Sequence, residues 1–298
     1  MLGALRKPLN ANTLQKMILS QMSQPSEQVI EVSRDEVRAA LDAKTIVPVY
    51  QPKLDLTKGG IHSVEVLARL AQPGAGLQSA YAYLLASESL GMMPELTLSL
   101  IEQVAVQSRS WRAEGVDLGF AFNISPSLLL DKNLPELIVS ALGETGLSPH
   151  MVTLEITENQ LIEYSTDVLE VLSRLRIKGF HLSVDDFGTG ATSFEQLRLY
   201  PFSELKLDLT FVQDVLTDSF ARLTVVTSLK LARLLNMSVV AEGVETEEQL
   251  DFFKKAGATF AQGYLIAKPL AGTDVIPWLR ENHERWTSPL PDADARSA

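Results

Sequence analysis

The chain contains no cysteine. That excludes disulfides, zinc–thiolate centres and cysteine nucleophiles, and it suits a reducing compartment, so a cytoplasmic protein is expected. Histidine is almost as scarce. His62, His150, His181 and His283 lie far apart, and none forms a metal-binding pair at helical spacing. Any metal would have to be held mainly by Asp, Glu and Asn oxygens, which favours Mg²⁺ or Mn²⁺ over Zn²⁺. No apolar run is long enough to span a bilayer. Arg6 and Lys7 are not followed by an apolar core and cleavage site, so no secretory signal is expected. Positive charge is also in deficit: 26 Lys and Arg face 37 Asp and Glu, a net charge of −11. Such a surface repels duplex nucleic acid and anionic membranes. An anionic ligand could bind only where local cations or metals reverse the sign.

What is present reads as a soluble globular chain, 46% hydrophobic and 21% charged over 298 residues. Residues 1–35 are polar and weakly helical, with a linker-like stretch at Gln24–Glu27. From 36 to 285 the chain alternates. Apolar runs predict strands over 47–54, 63–70, 118–124, 152–157, 181–184, 204–207, 238–241 and 259–261. Amphipathic stretches between most of them predict helices, such as those over 96–112, 166–178 and 220–235. This alternation gives an α/β protein with a parallel sheet. Eight strands in about 250 residues match a closed (β/α)8 TIM-type barrel. The alternative is an open doubly wound sheet, for which no glycine-rich dinucleotide fingerprint is found. Only six residues, Asp55–Gly60, join the first two strands. A helix does not fit there, so one early strand should run antiparallel. The tail from about 286 to 298, rich in Pro, Asp and Ser, is expected to be disordered.

The strand ends carry the chemistry. At or near them stand Glu65, Asn123, Glu155, Asp185 with Asp186, Lys206, Glu242 and Gln262. In a barrel these ends converge on the rim where active sites sit. One such residue would be a strand-end charge reaching solvent; seven strands in register need another account. Clustered carboxylates repel one another unless a cation intervenes. Two divalent ions would relieve this, with Asn123 as a further oxygen ligand. A lysine among them could hold a water or a developing oxyanion. This is equipment for two-metal phosphoryl chemistry. The Asp185-Asp186-Phe187-Gly188-Thr189-Gly190 stretch admits two readings: a metal-binding turn, or a glycine-containing loop with an Asp capping the next helix.

The ordered motifs resemble the EAL-domain family. They are Tyr50-Gln51-Pro52-Lys53, Glu65-Val66-Leu67-Ala68-Arg69, Asn123-Ile124-Ser125-Pro126 and Leu154-Glu155-Ile156-Thr157-Glu158. They continue with Asp185–Gly190, Lys206-Leu207-Asp208, Ala241-Glu242-Gly243-Val244-Glu245, Gln262-Gly263-Tyr264 and Lys268-Pro269. The resemblance spans about residues 40–280 and implies hydrolysis of cyclic di-GMP to linear pGpG with two Mg²⁺ or Mn²⁺ ions. It implies that Glu65, Asn123, Glu155 and Asp185 hold one metal, and that Asp185 and Asp186 serve the other. Lys206 and Glu242 would position and deprotonate the attacking water. Gln51, Leu67, Arg69 and Gln262 would contact the dinucleotide. Glu158 would brace the loop after Asp186, a loop that the resemblance also connects with a homodimer.

Two departures stand out. The signature reads Glu-Val-Leu rather than Glu-Ala-Leu, with Val66 expected to face away from Glu65. Ala191-Thr192-Ser193 replaces the usual aromatic after the Asp-Asp loop, which would loosen the loop or a dimer contact. Near the N-terminus, Gly3–Leu9 with Leu14, Met17 and Ile18 resembles the last strand and helix of a response-regulator receiver domain. The other reading is a generic linker helix. Two competing functions remain: a catalytically silent cyclic-di-GMP receptor, and an unrelated metal-dependent barrel enzyme acting on an enolisable acid.

Overall fold

The computed structural model describes residues 32–143, 146–158, 166–189 and 194–287. Asp55 ends the first strand and begins its reversal. Its Oδ1 accepts from the amides of Thr57 and Lys58 and from the Thr57 hydroxyl, a side-chain-closed turn. Gly59 and Gly60 follow at φ 77° and 81°, where a side chain would be strained. β1 (Ile46–Asp55) therefore runs antiparallel to β2 (Ile61–Gln72), with Gln51 opposite Glu65.

From β2 the chain continues in parallel. β3 (Gly76–Ser79) is a short hairpin on β2. β4 (Gly119–Asn123), β5 (Val152–Thr157), β6 (His181–Phe187), β7 (Glu204–Leu207), β8 (Ser238–Ala241) and β9 (Phe260–Ala261) then follow side by side. β9 pairs with β1, again antiparallel, and closes the barrel. β10 (Leu270–Ala271) pairs with Val49 and Tyr50 of β1, on the same edge as β9 and opposite the edge taken by β2. The architecture is the closed (β/α)8-type barrel expected from the alternation, with β1 as the antiparallel strand. β3 and β10 were not legible: β3 is four exposed residues in a glycine-rich stretch, and β10 is two residues long.

Helices clothe the outside. The Met93–Ala113 helix buries Leu96, Leu100, Ile101, Val104 and Trp111, spacing that keeps one stripe on the barrel. Trp111 stacks on Phe120 at 5.7 Å and donates its indole N–H to the Gly272 carbonyl. The folded unit also reaches slightly beyond the expected bounds. Ser33 caps the Arg34–Asp42 helix in a reciprocal box with Glu36, and Val32 is buried. At the other end, the His283–Thr287 helix buries Trp286, so the fold runs two residues into the expected tail. Residues 1–31 and 288–298 lie outside the described residues, as do the receiver-like segment and Ala191-Thr192-Ser193. Among the described residues no helix is long and apolar enough to cross a membrane.

Strand alternation sorts the side chains. Leu154, Ile156, Leu182, Val184, Leu205 and Leu207 join the apolar core. Their neighbours Glu155, Ser183, Asp185, Glu204 and Lys206 are buried too, although polar. A barrel interior is normally filled by branched apolar residues. Buried charge is costly unless paired, and here every charge has a partner inside the barrel.

Candidate active site

Lys206 is the centre of the site. It is 1% exposed, and its Nζ lies 2.8 Å from Glu155 Oε2, 2.7 Å from Glu242 Oε1 and 3.1 Å from Asp185 Oδ1. Glu65 Oε2 is 3.7 Å away. Burial alone would lower the lysine's pKa, but the surrounding carboxylates outweigh it and hold it well above its ordinary value. Lys206 is therefore a fixed cation.

Glu65 is held from both sides. Asn123 Nδ2 donates to its Oε1 at 3.0 Å, and Gln262 Nε2 to its Oε2 at 2.7 Å. The same Gln262 amide reaches Gln51 Oε1 at 3.2 Å, while Gln51 donates to the Ala267 carbonyl. Burial pushes the Glu65 pKa up, but Lys206 and the two amide donors pull it below the usual range. Val66 points the other way, into the apolar core, so the Val-for-Ala departure leaves the site's own contacts alone.

Adjacent aspartates on a regular strand would face opposite sides. The ladder between β6 and β7 shifts register between Val184 and Phe187, and Asp186 sits at φ 54°. This local irregularity re-aims the chain. Asp185, Asp186 and Glu242 each offer an oxygen within 4.8 Å of the others. Glu158 Oε2 accepts from the Gly188 amide at 2.8 Å and so ties down the turn just after Asp186. Asp208 caps the Leu209–Asp214 helix through the Thr210 amide. Burial, then the charges of Asp185 and Asp208, push Asp186 up to about 6. Burial likewise raises Glu155 to about 7 and Glu242 well above the carboxylate range, each against the pull of Lys206.

The donors fit a hard divalent cation. They are carboxylate and amide oxygens, and Asp185, Asp186 and Glu242 turn one oxygen each toward a common point. A cavity of about 360 Å³ opens beside them, lined by Gln51, Glu65, Glu242, Gln262 and Tyr264. A larger, mostly apolar cavity of about 510 Å³ lies by Ile61, Leu118 and Trp278, and none of these chemical groups lines it.

The structure brings Gln51, Glu65, Asn123, Glu155, Asp185, Lys206, Glu242 and Gln262 into one connected set, with Asp186 at its edge. Leu67 and Arg69 lie further along β2 on the face of Glu65. Arg69 donates to the Ala68 carbonyl and makes none of the carboxylate contacts just described. Two inward groups escaped the sequence reading, Lys53 and Glu204. Their signal was parity: Lys53 stands two residues after Gln51, and Glu204 two before Lys206.

The model of the EAL-domain family matches residues 34–269. The cyclic di-GMP phosphodiesterase RocR of Pseudomonas aeruginosa is 37% identical over 276 residues, which cover 90% of this chain and 70% of RocR. The cyclic di-GMP phosphodiesterase PdeR of Escherichia coli is 32% identical over 84% of this chain and 38% of its own length. Several other relatives are likewise spanned over only 30% to 38% of their length. Among solved structures, that of the PaMucR phosphodiesterase in its c-di-GMP complex aligns with a TM-score of 0.75 at 32% identity, over 81% of this chain and 98% of that one.

Proposed function

The chain belongs to the EAL-domain family, and on that premise we propose that it is a phosphodiesterase that opens cyclic di-GMP to linear pGpG with two Mg²⁺ or Mn²⁺ ions. The observation that carries this reading is the contact set of Lys206 with Glu65, Glu155, Asp185 and Glu242, beside Asp186. Every position that metal and water chemistry needs is filled by a competent side chain.

Charge balance supports bound divalent ions. Inside the barrel, Glu65, Glu155, Asp185, Asp186, Glu204 and Glu242 face Lys53 and Lys206. The carboxylates outnumber the lysines, and Asp208 adds a further negative charge beside Asp186, an excess that bound divalent cations would relieve. In this reading Glu65, Asn123, Glu155 and Asp185 would hold one ion, and Asp185 and Asp186 the other, with Glu242 within reach of the second. Bound there, such ions lower the pKa of water and stabilise a leaving oxygen.

The chain's own groups do the positioning. Glu242 takes a proton from the attacking water, whose oxygen forms the new bond to phosphorus. Lys206 fixes Glu242 and balances the charge that grows on the phosphoryl oxygens. The bond from phosphorus to the ribose 3′ oxygen breaks, and that oxygen takes up a proton from solvent. Gln51, Leu67, Arg69 and Gln262 contact the dinucleotide, with Arg69 suited to a bidentate grip on a phosphate. A homodimer formed around the Asp186–Gly190 loop belongs to the same reading, although Gly190 lies outside the described residues. A strictly monomeric, fully active protein in sedimentation would remove that part.

The test is chromatography of cyclic di-GMP incubated with the purified protein in Mn²⁺, Mg²⁺ or EDTA. Linear pGpG with metal alone supports the reading. Intact substrate that nevertheless binds would make the protein a receptor.

A further inference from the structure

Beneath the site lies a second charged layer. Lys53 is 1% exposed, on the antiparallel strand β1, and its Nζ contacts Glu204 Oε1 of β7 at 2.9 Å. The same Nζ is 3.6 Å from Glu155 Oε1 of β5. Neither β5 nor β7 is a neighbour of β1 in the sheet, so these contacts cross the barrel interior. Glu155 thus stands between two lysines. Lys206 holds Oε2 at 2.8 Å, and Oε1, which accepts no hydrogen bond, faces Lys53.

Stability gives no obvious reason for this layer. Buried ion pairs pay heavily for desolvation, and packed apolar residues often replace them without loss. The layer does have one consequence for the site above. A carboxylate gripped at one oxygen can pivot, whereas one held at both ends has a fixed plane. We propose that Lys53 is a positioning residue: supported by Glu204, it holds the lower oxygen of Glu155, so that the upper oxygen stays on Lys206 and faces the metal-binding carboxylates. This rests on the phosphodiesterase reading for its kinetic consequence, but not for its effect on metal binding.

Lys53→Met alone would leave Glu204 buried without its partner and is expected to fold poorly. The informative variant is Lys53→Met/Glu204→Leu. It removes one positive and one negative charge, so the net field on a bound cation is nearly unchanged and a structural ion pair is cleanly replaced. The expected result is a protein with a melting temperature near that of the parent and an unaltered KM for cyclic di-GMP. Its kcat falls at least about tenfold, and its Mn²⁺ affinity, measured by calorimetry without nucleotide, weakens by about tenfold, as when outer partners of metal ligands are lost. Parental kcat and parental Mn²⁺ affinity in the folded double variant would overturn the proposal and leave Lys53 a structural residue. Should that variant fail to fold, Lys53→Gln/Glu204→Gln keeps the polar contacts without the charges and is judged by the same two readings. If the parent itself does not cleave the dinucleotide, the functional reading fails, while the Mn²⁺ titration still decides the role of Lys53.

Discussion

Lys206 Nζ lies 2.7 Å from Glu242 Oε1, deep in the barrel, with the Lys206 side chain 1% exposed. The pair joins the end of β7 to the residue just past β8, so a fixed cation holds the group proposed to take the water's proton. Replacing Lys206 by Met should lower kcat by about 10²- to 10⁴-fold, the range for losing a positioned proton-transfer apparatus. Arginine should not rescue it, because a planar fork cannot replace a compact ammonium amid four carboxylates. Steady-state kinetics at saturating substrate decides this, and near-parental turnover in Lys206→Met would refute it.

Glu65 is the anchor on which the amides of Asn123 and Gln262 converge. Glu65→Ala should remove turnover, by roughly 10³-fold or more as for an essential group, and weaken Mn²⁺ binding. Unchanged turnover would sink the site assignment.

The frame of this site was legible in the sequence because it depends on position along strands. Glu65, Glu155, Asp185, Lys206 and Glu242 each follow an apolar run, and the barrel gathers such ends by topology alone. Other features depend on contacts between strands remote in sequence. Parity marks Lys53 and Glu204 each as inward, but that the two meet across 151 residues is set by the closed barrel and not by anything local to either. The turn at Asp186 is similar: the two aspartates are visible, but the left-handed backbone that aims them together is not. β3 and β10 were missed because sheet edges need few residues and little hydrophobicity.

Metal binding should depend on pH. In the metal-free site Asp186 titrates at about 6 and Glu155 at about 7, both raised first by burial. Below these values the carboxylates are protonated in part, and a cation must displace those protons. Mn²⁺ affinity should therefore rise from pH 5.5 to 7.5. At pH 6, calorimetric titrations in buffers of different ionisation enthalpy should show proton release. An affinity independent of pH, with no release, would contradict the assignment.

Glu158 holds the turn after Asp186 through the Gly188 amide. Glu158→Ala leaves that amide without its acceptor and releases the turn that follows Asp186. Turnover should fall well below the parental rate while the melting temperature changes little. Equal loss of both would make Glu158 a general structural residue.

Gly263 follows Gln262, and a Cβ there would lie 2.1 Å from the Val244 carbonyl oxygen. Backbone cannot yield as a side-chain tip can. Gly263→Ala should cost about 1–3 kcal/mol in denaturant unfolding and displace Gln262, raising KM. A stable variant with parental KM would show that the segment can shift freely.

The most direct test of the central claim is turnover of cyclic di-GMP in ¹⁸O-labelled water with Mn²⁺, read by mass spectrometry. The account predicts linear pGpG carrying one ¹⁸O on its 5′ phosphate, abolished by EDTA and by Glu65→Ala. Intact dinucleotide in every metal, or a product without the label, would contradict it.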